Sequence, residues 1–240
     1  MSESTLQHLS PNGTSRLLCV VAHPDDLEYG SSALVAQWAD AGVEVAYLLL
    51  TAGEAGMQRD PAEVGPLRIE EQRAACDIIG VSHLTVLDHP DGNLADPLRL
   101  RLDIAAEIRA FRPDAVLTQT WELEVGWGIN HADHRAAGLA TADAIRDAGN
   151  RWVFTELLDD GLEPWAASWL IVGGHTAPNH AVPVDPAAVD KAVASLAAHS
   201  AYLADLPDHP APADFIPPML KAGGDAAGVP YAVAVRTWRM

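Results

Sequence analysis

The sequence predicts a three-layer α/β/α fold built on a mostly parallel sheet. Two observations carry this. Short apolar runs of strand length alternate with longer amphipathic runs of helix length, as parallel strands joined by crossover helices require. The apolar runs are also nearly continuous, as in VEVAYLLLT at 43–51, and strands of that kind are buried on both faces.

Residues 16–22 (RLLCVVA) read as the first strand, and 31–40 as a helix closed by Gly42. Residues 43–51 form a second strand, followed by the glycine-rich 53–56 and an irregular stretch containing Pro61 and Pro66. A helix over 67–79 ends at Gly80, and 81–87 is a third strand running into the turn His89-Pro90-Asp91-Gly92. A helix over 98–111 stops before Pro113, and 114–119 is a fourth strand. The long loop 121–130 carries Trp121 and Trp127, and 132–148 is a helix capped by Gly149. After residue 150 the pattern weakens. Short strands are expected at 152–158 and 168–172, a helix at 185–203, a proline-rich ordered loop or lid at 207–218, and a last strand at 231–237. The expectation is one Rossmann-like domain over 1–240, with 1–15 a flexible tail.

Composition narrows the partners. The 240 residues hold 15 Lys and Arg against 33 Asp and Glu, a formal charge of −18, which argues against nucleic acid or an acidic membrane surface. No apolar run reaches the roughly 20 residues of a membrane span, and the polar start does not resemble a signal peptide, so a cytoplasmic protein is expected. Cys19 and Cys76 are too few for a disulfide framework and read as small buried residues. The sequence leaves the subunit number open, with a homo-oligomer among the options.

The chemistry concentrates behind two strands. His23-Pro24-Asp25-Asp26 follows the first, and Asn130-His131-Ala132-Asp133-His134 follows the loop after the fourth. A nucleotide site would need glycines behind the first strand, because bare backbone must approach the phosphates. An imidazole beside two carboxylates calls for a cation instead. His23 with Asp26, and His131 with His134, are spaced i, i+3 and can share a helical face. Either cluster alone also suits a plain helix start, with proline and acids favoured in the first turn. Together, at the ends of strands that are commonly adjacent, they suit an open zinc site of two histidines and a carboxylate. Trp121 and Trp127 offer flat faces for a sugar or aromatic group, with core packing as the alternative.

Ala22-His23-Pro24-Asp25-Asp26, followed by His131-x-Asp133-His134-x-x-x-Gly138, resembles the PIG-L/LmbE-like family of zinc-dependent N-acetyl deacetylases. That family acts mostly on amino sugars, including mycothiol- and bacillithiol-pathway substrates and a glycopeptide antibiotic. The likeness runs from about residue 16 to 138 and includes Thr51-Ala52-Gly53-Glu54, Arg68 with Glu71, and Pro90-Asp91-Gly92. Later, His199-Ser200 lacks the glutamine of the family's helix motif, and 231–235 lacks its usual ending. The resemblance implies that His23, Asp26 and His134 hold one zinc or other divalent ion per chain. It makes Asp25 the general base and gives His131 the task of polarising the carbonyl or protonating the leaving amine. Asp133 would hydrogen-bond His131, and Arg68 and Asp91 would contact a small-molecule N-acyl substrate. The reaction implied is hydrolysis of an acyl, chiefly acetyl, amide. A thiol-conjugate amidase of the same fold and a non-hydrolytic metabolite-binding protein are the alternatives.

Overall fold

The computed structural model describes residues 6–240; residues 1–5, the start of the expected flexible tail, lie outside the described residues. The rest of that tail departs from expectation, because β1 (Gln7–His8) is a short strand paired in parallel with a strand late in the chain. The chain continues through β2 (Arg16–Val21), α1 (Ser32–Asp40), β3 (Glu44–Leu49), α2 (Pro61–Ile79), β4 (His83–Val86) and α3 (Pro97–Phe111). Next come β5 (Ala115–Gln119), a small hairpin of β6 (Glu124–Val125) and β7 (Gly128–Ile129), α4 (Ala132–Gly149) and α5 (Glu156–Asp159). It finishes with β8 (Trp169–Gly173), β9 (His180–Pro183), α6 (Pro186–Ala197), α7 (Ser200–Ala204), α8 (Pro212–Ala227) and β10 (Ala232–Arg239).

Eight strands form one sheet in the order β1-β9-β10-β8-β5-β2-β3-β4, and only β10 runs antiparallel to its neighbours. The α/β/α fold with a mostly parallel sheet is therefore as the sequence predicts. Successive strand side chains point to opposite faces, and β2 shows why its run is wholly apolar. Leu17, Cys19 and Val21 join the core under α1, α2, α6 and α8. Leu18 and Val20 join the second core, under α3 and α4.

Helix starts follow side-chain chemistry. Asp60, Asp96 and Asp185 each cap a helix whose first residue is proline, accepting from the backbone N–H groups of Ala62, Arg99 and Ala188. Gly80 closes α2 in the left-handed conformation, φ 82°.

Four of the expected elements take a different form, and β6, β7 and β9 were not expected. α2 begins at Pro61 rather than 67, because Asp60 caps a prolyl start. Residues 152–158, expected as a strand, form turns and α5, with Trp152 exposed. Residues 148–154 instead wrap the buried Arg109, whose guanidinium collects the carbonyls of Ala148, Asn150 and Val153. The expected helix 185–203 breaks between Ala197 and Ser200. The expected loop 207–218 runs into α8, which begins at Pro212.

The parallel core turns outward in both directions from β2, with β3 on one side and β5 on the other. Such a reversal opens a crevice at the strands' carboxyl ends. The loop after β2 and the loop after β5 both empty into it.

Candidate metal and catalytic site

The turn after β2 brings His23 and Asp26 to the crevice, and the first turn of α4 brings His134. Their ligand atoms all lie within 4.8 Å of one another. Asp26 bridges the histidines: Oδ1 is 3.0 Å from His134 Nε2, and Oδ2 is 3.6 Å from His23 Nδ1. Asp26 Oδ2 also accepts the His23 backbone N–H at 2.8 Å, which fixes the carboxylate within its own turn. Burial opposes its charge, but His23 and His134 more than offset this and hold the carboxyl well below the usual range.

The far nitrogen of each histidine is engaged as a metal ligand's should be. His134 Nδ1 is 3.1 Å from Asn130 Oδ1, and Asn130 is fixed by donating to the carbonyls of Thr120 and Glu122. His23 Nε2 lies 2.9 Å from Asp91 and 3.3 Å from Asp133. Burial would depress the His23 pKa, yet Asp26, Asp133 and Asp91 push it up to about 12. So many carboxylates around one imidazole favour positive charge, and a proton and a metal ion compete for that charge. Two imidazoles, one carboxylate and second-layer partners on both rings fit a zinc ion. A second combination, His23 with His131 and Asp133, is equally compact. Its Asp133 carboxylate is already occupied by the backbone N–H groups of Gly92 (2.7 Å) and Leu94 (3.2 Å).

Asp25 sits behind this group, 4% exposed, in a left-handed conformation with φ 83°. That backbone is costly outside glycine, and α2 holds it in place. Gln72 Oε1 accepts the Asp25 N–H at 2.9 Å, and Arg68 Nη2 donates to Asp25 Oδ2 at 3.0 Å and to Pro24 O at 2.6 Å. Burial raises the Asp25 pKa, Arg68 lowers it, and the balance is about 7.

Several expected residues have partners within the protein itself. Arg68, expected to contact substrate, is 2% exposed; its guanidinium is spent on Asp25, Pro24 and Gly53 and stacks on Tyr202. Asp91, also expected at the substrate, is bonded to His23 and to the Ala55 N–H. The Asp133 carboxylate does not orient His131; its backbone N–H does, donating to His131 Nδ1 at 3.2 Å. Trp121 stacks on Trp238 and packs into the second core, whereas Trp127 is exposed.

A cavity of about 750 Å³ opens beside Asp26 and His134, and Trp127, Phe215 and Met219 are among its lining residues. The sequence reading missed Asn130 and Gln72 as supports of the site. Asn130 was visible as a polar residue directly ahead of the second cluster, but Gln72 looked like any helix residue.

The PIG-L family, described as GlcNAc-PI de-N-acetylase, matches residues 18–145. A diacetylchitobiose deacetylase of Thermococcus kodakarensis is 34% identical over 142 residues, 58% of this chain and 52% of that protein. A 1D-myo-inositol 2-acetamido-2-deoxy-alpha-D-glucopyranoside deacetylase of Kineococcus radiotolerans is 32% identical over 176 residues, 56% of this chain and 48% of its own length. The chain thus spans about half the length of these curated relatives. Among solved structures, the N,N'-diacetylchitobiose deacetylase of Pyrococcus horikoshii superposes with TM-score 0.84 at 22% identity, covering 95% of this chain and 85% of that one. The 4-carboxy-2-hydroxymuconate hydratase GalB of Pseudomonas putida KT2440 superposes with TM-score 0.74 at 19% identity, covering 93% and 95%. A hydratase therefore shares the fold, which by itself leaves the reaction open. The family match extends over more than half of the chain and contains both histidine- and aspartate-bearing clusters: the protein belongs to the PIG-L family.

Proposed function

We propose that this protein is a zinc-dependent hydrolase that removes an acyl group, chiefly acetyl, from an amine on a small glycoside-like molecule. The observation that carries the reading is the convergence of His23, Asp26 and His134 with a buried carboxylate, Asp25, directly behind them. The names of the relatives agree with it. The chemistry a zinc ion supplies when bound is Lewis acidity, which polarises an amide carbonyl and acidifies water. His23, Asp26 and His134 hold the ion. Asp25 takes a proton from the attacking water and returns one to the departing amine nitrogen. A carboxyl poised at about 7 can do both near neutral pH.

His131 caps α4 and is exposed at the crevice. Its Nδ1 accepts a backbone N–H, so the ring proton sits on Nε2. That proton can be offered to the carbonyl oxygen as negative charge develops there.

Metal analysis tests the centre. The purified protein is expected to hold about one zinc per chain and to release acetate from N-acetylglucosaminides. His23→Ala, Asp26→Ala and His134→Ala each lose metal and turnover together. Full metal occupancy in all three variants contradicts the ligand set, and a zinc-loaded protein inert toward every N-acyl amine contradicts the reaction.

A further inference from the structure

The cavity beside Asp26 and His134 is far larger than an acetyl group needs. At about 750 Å³ it falls within the roughly 300–1,000 Å³ range of pockets that enclose whole drug-sized ligands. Beyond Asp26, His134 and Asn130, much of its wall is apolar and plays no part in holding the metal. Leu27 and Tyr29 lie just past the metal turn, Phe215, Met219 and Leu220 come from α8, and Val233 from β10. The negative groups that crowd the centre from the other side, Asp25, Asp91 and Asp133, do not line it. The site thus has a charged half and an apolar half, with the Asp26–His134 pair between them.

Polar side chains also reach the lining, among them Ser31, Thr118, Thr120, His175 and Thr176. Gln119 lines the cavity, and its Nε2 is buried with no hydrogen-bond partner among the described residues. A buried N–H left without an acceptor is costly, and a ligand oxygen would satisfy it.

We propose that the physiological substrate carries an apolar chain or ring next to its scissile amide, and that this group lodges in the α8–β10 cavity. The inference rests on the deacylase reading and specifies its substrate class. The apolar group could be a longer acyl chain or the aglycone of an N-acetylated sugar. The chemistry recognised is the same, and the two sources are separable by experiment.

The experiment measures kcat/KM for the zinc-loaded protein on two series. One varies the acyl chain of N-acylglucosamine from acetyl to octanoyl; the other keeps acetyl and varies the aglycone from methyl to octyl and phenyl. In one series kcat/KM is expected to rise about fourfold per buried methylene until the cavity is filled. A rise in the first series assigns the group to the acyl side, and a rise in the second to the aglycone. A Cβ added at Gly30, which lines the cavity without a left-handed backbone, meets nothing within 4 Å. Gly30→Phe should therefore project a ring into the space and cut the long-to-short kcat/KM ratio by on the order of tenfold, the worth of two buried methylenes.

Hydrolysis of acetyl substrates with a flat response in both series overturns the inference and leaves the deacylase reading standing. A length dependence untouched by Gly30→Phe, in a variant that melts and binds zinc like the parent, also overturns it, because the group then sits elsewhere. Failure to hydrolyse any member of either series removes the deacylase reading itself, and this inference with it.

Discussion

Arg68 bears on the site through Asp25, to which it donates a hydrogen bond. Its charge is the main force holding the Asp25 pKa down against burial, so its loss must raise that pKa. A base with a raised pKa is protonated, and idle, up to a higher pH. Arg68→Gln is expected to move the acidic limb of kcat/KM to higher pH, with activity near pH 7 falling and partly returning in alkaline buffer. Asp25→Asn, by contrast, should lose on the order of 10²–10⁴-fold at every pH while keeping its zinc. A limb that stays in place in Arg68→Gln refutes the coupling. Glu28 makes a second case. Burial pushes its pKa from 4.5 up to about 8, and burial drives the neighbouring His199 from 6.5 down to about 3. A raised acid contributes stability that is full below pH 4.5 and lost as pH rises through about 8. A lowered base contributes stability present above 6.5 and lost on acidification toward 3. The pair therefore yields a stability plateau between about 4.5 and 6.5 with losses on both sides. Melting temperatures across that span and up to pH 8 should decline less on the alkaline side in Glu28→Gln than in the parent. Parallel curves would contradict this.

At the scale of elements, α4 has to bring His134 to Asp26, and it does so by lying hard against the end of β5. A Cβ at Gly138 would stand 2.4 Å from the carbonyl oxygen of Gln119, closer than atoms can approach. Gly138→Ala is expected to cost about 1–3 kcal/mol by chemical denaturation and to weaken zinc binding, since relief of the clash pushes the His134 turn outward. Unchanged stability and affinity would show that the helix can give way freely. The sequence marked this glycine through its motif, and it marked both His/Asp clusters that the structure brings together, because strand ends and clustered imidazoles and carboxylates have strong local signatures. It was less legible where structure comes from distant contacts. α8 holds Pro217 and Pro218 within it, which reads as a loop, yet Ile216, Leu220, Gly224 and Ala227 keep a helical spacing and are buried. β9 contains Pro183 and is held by strands on both sides. That Arg68 bonds Asp25 and Asp91 bonds His23 was likewise not legible, because these contacts join segments distant in sequence.

For the molecule as a whole, the sheet order puts the chemistry at the reversal beside β2, and no helix among the described residues is long and apolar enough to cross a membrane. The position of β10 bears on how the fold is reached. It is the last strand in chain order, yet it lies inside the sheet, joining β8 on one side to β9 and β1 on the other. During synthesis, at roughly 5–20 residues per second, β8, β5, β2, β3 and β4 can pair as they emerge. β9 and β1 can pair with each other but have no route into the main sheet until β10 appears. A nascent chain halted before residue 232 should thus protect its metal-site strands from proteolysis while leaving β9 and β1 open to cleavage, as pulse proteolysis of stalled chains would reveal. The centre is framed early by the parallel strands, whereas the apolar chamber beside it, walled by α8 and β10, closes only with the final residues of the sheet.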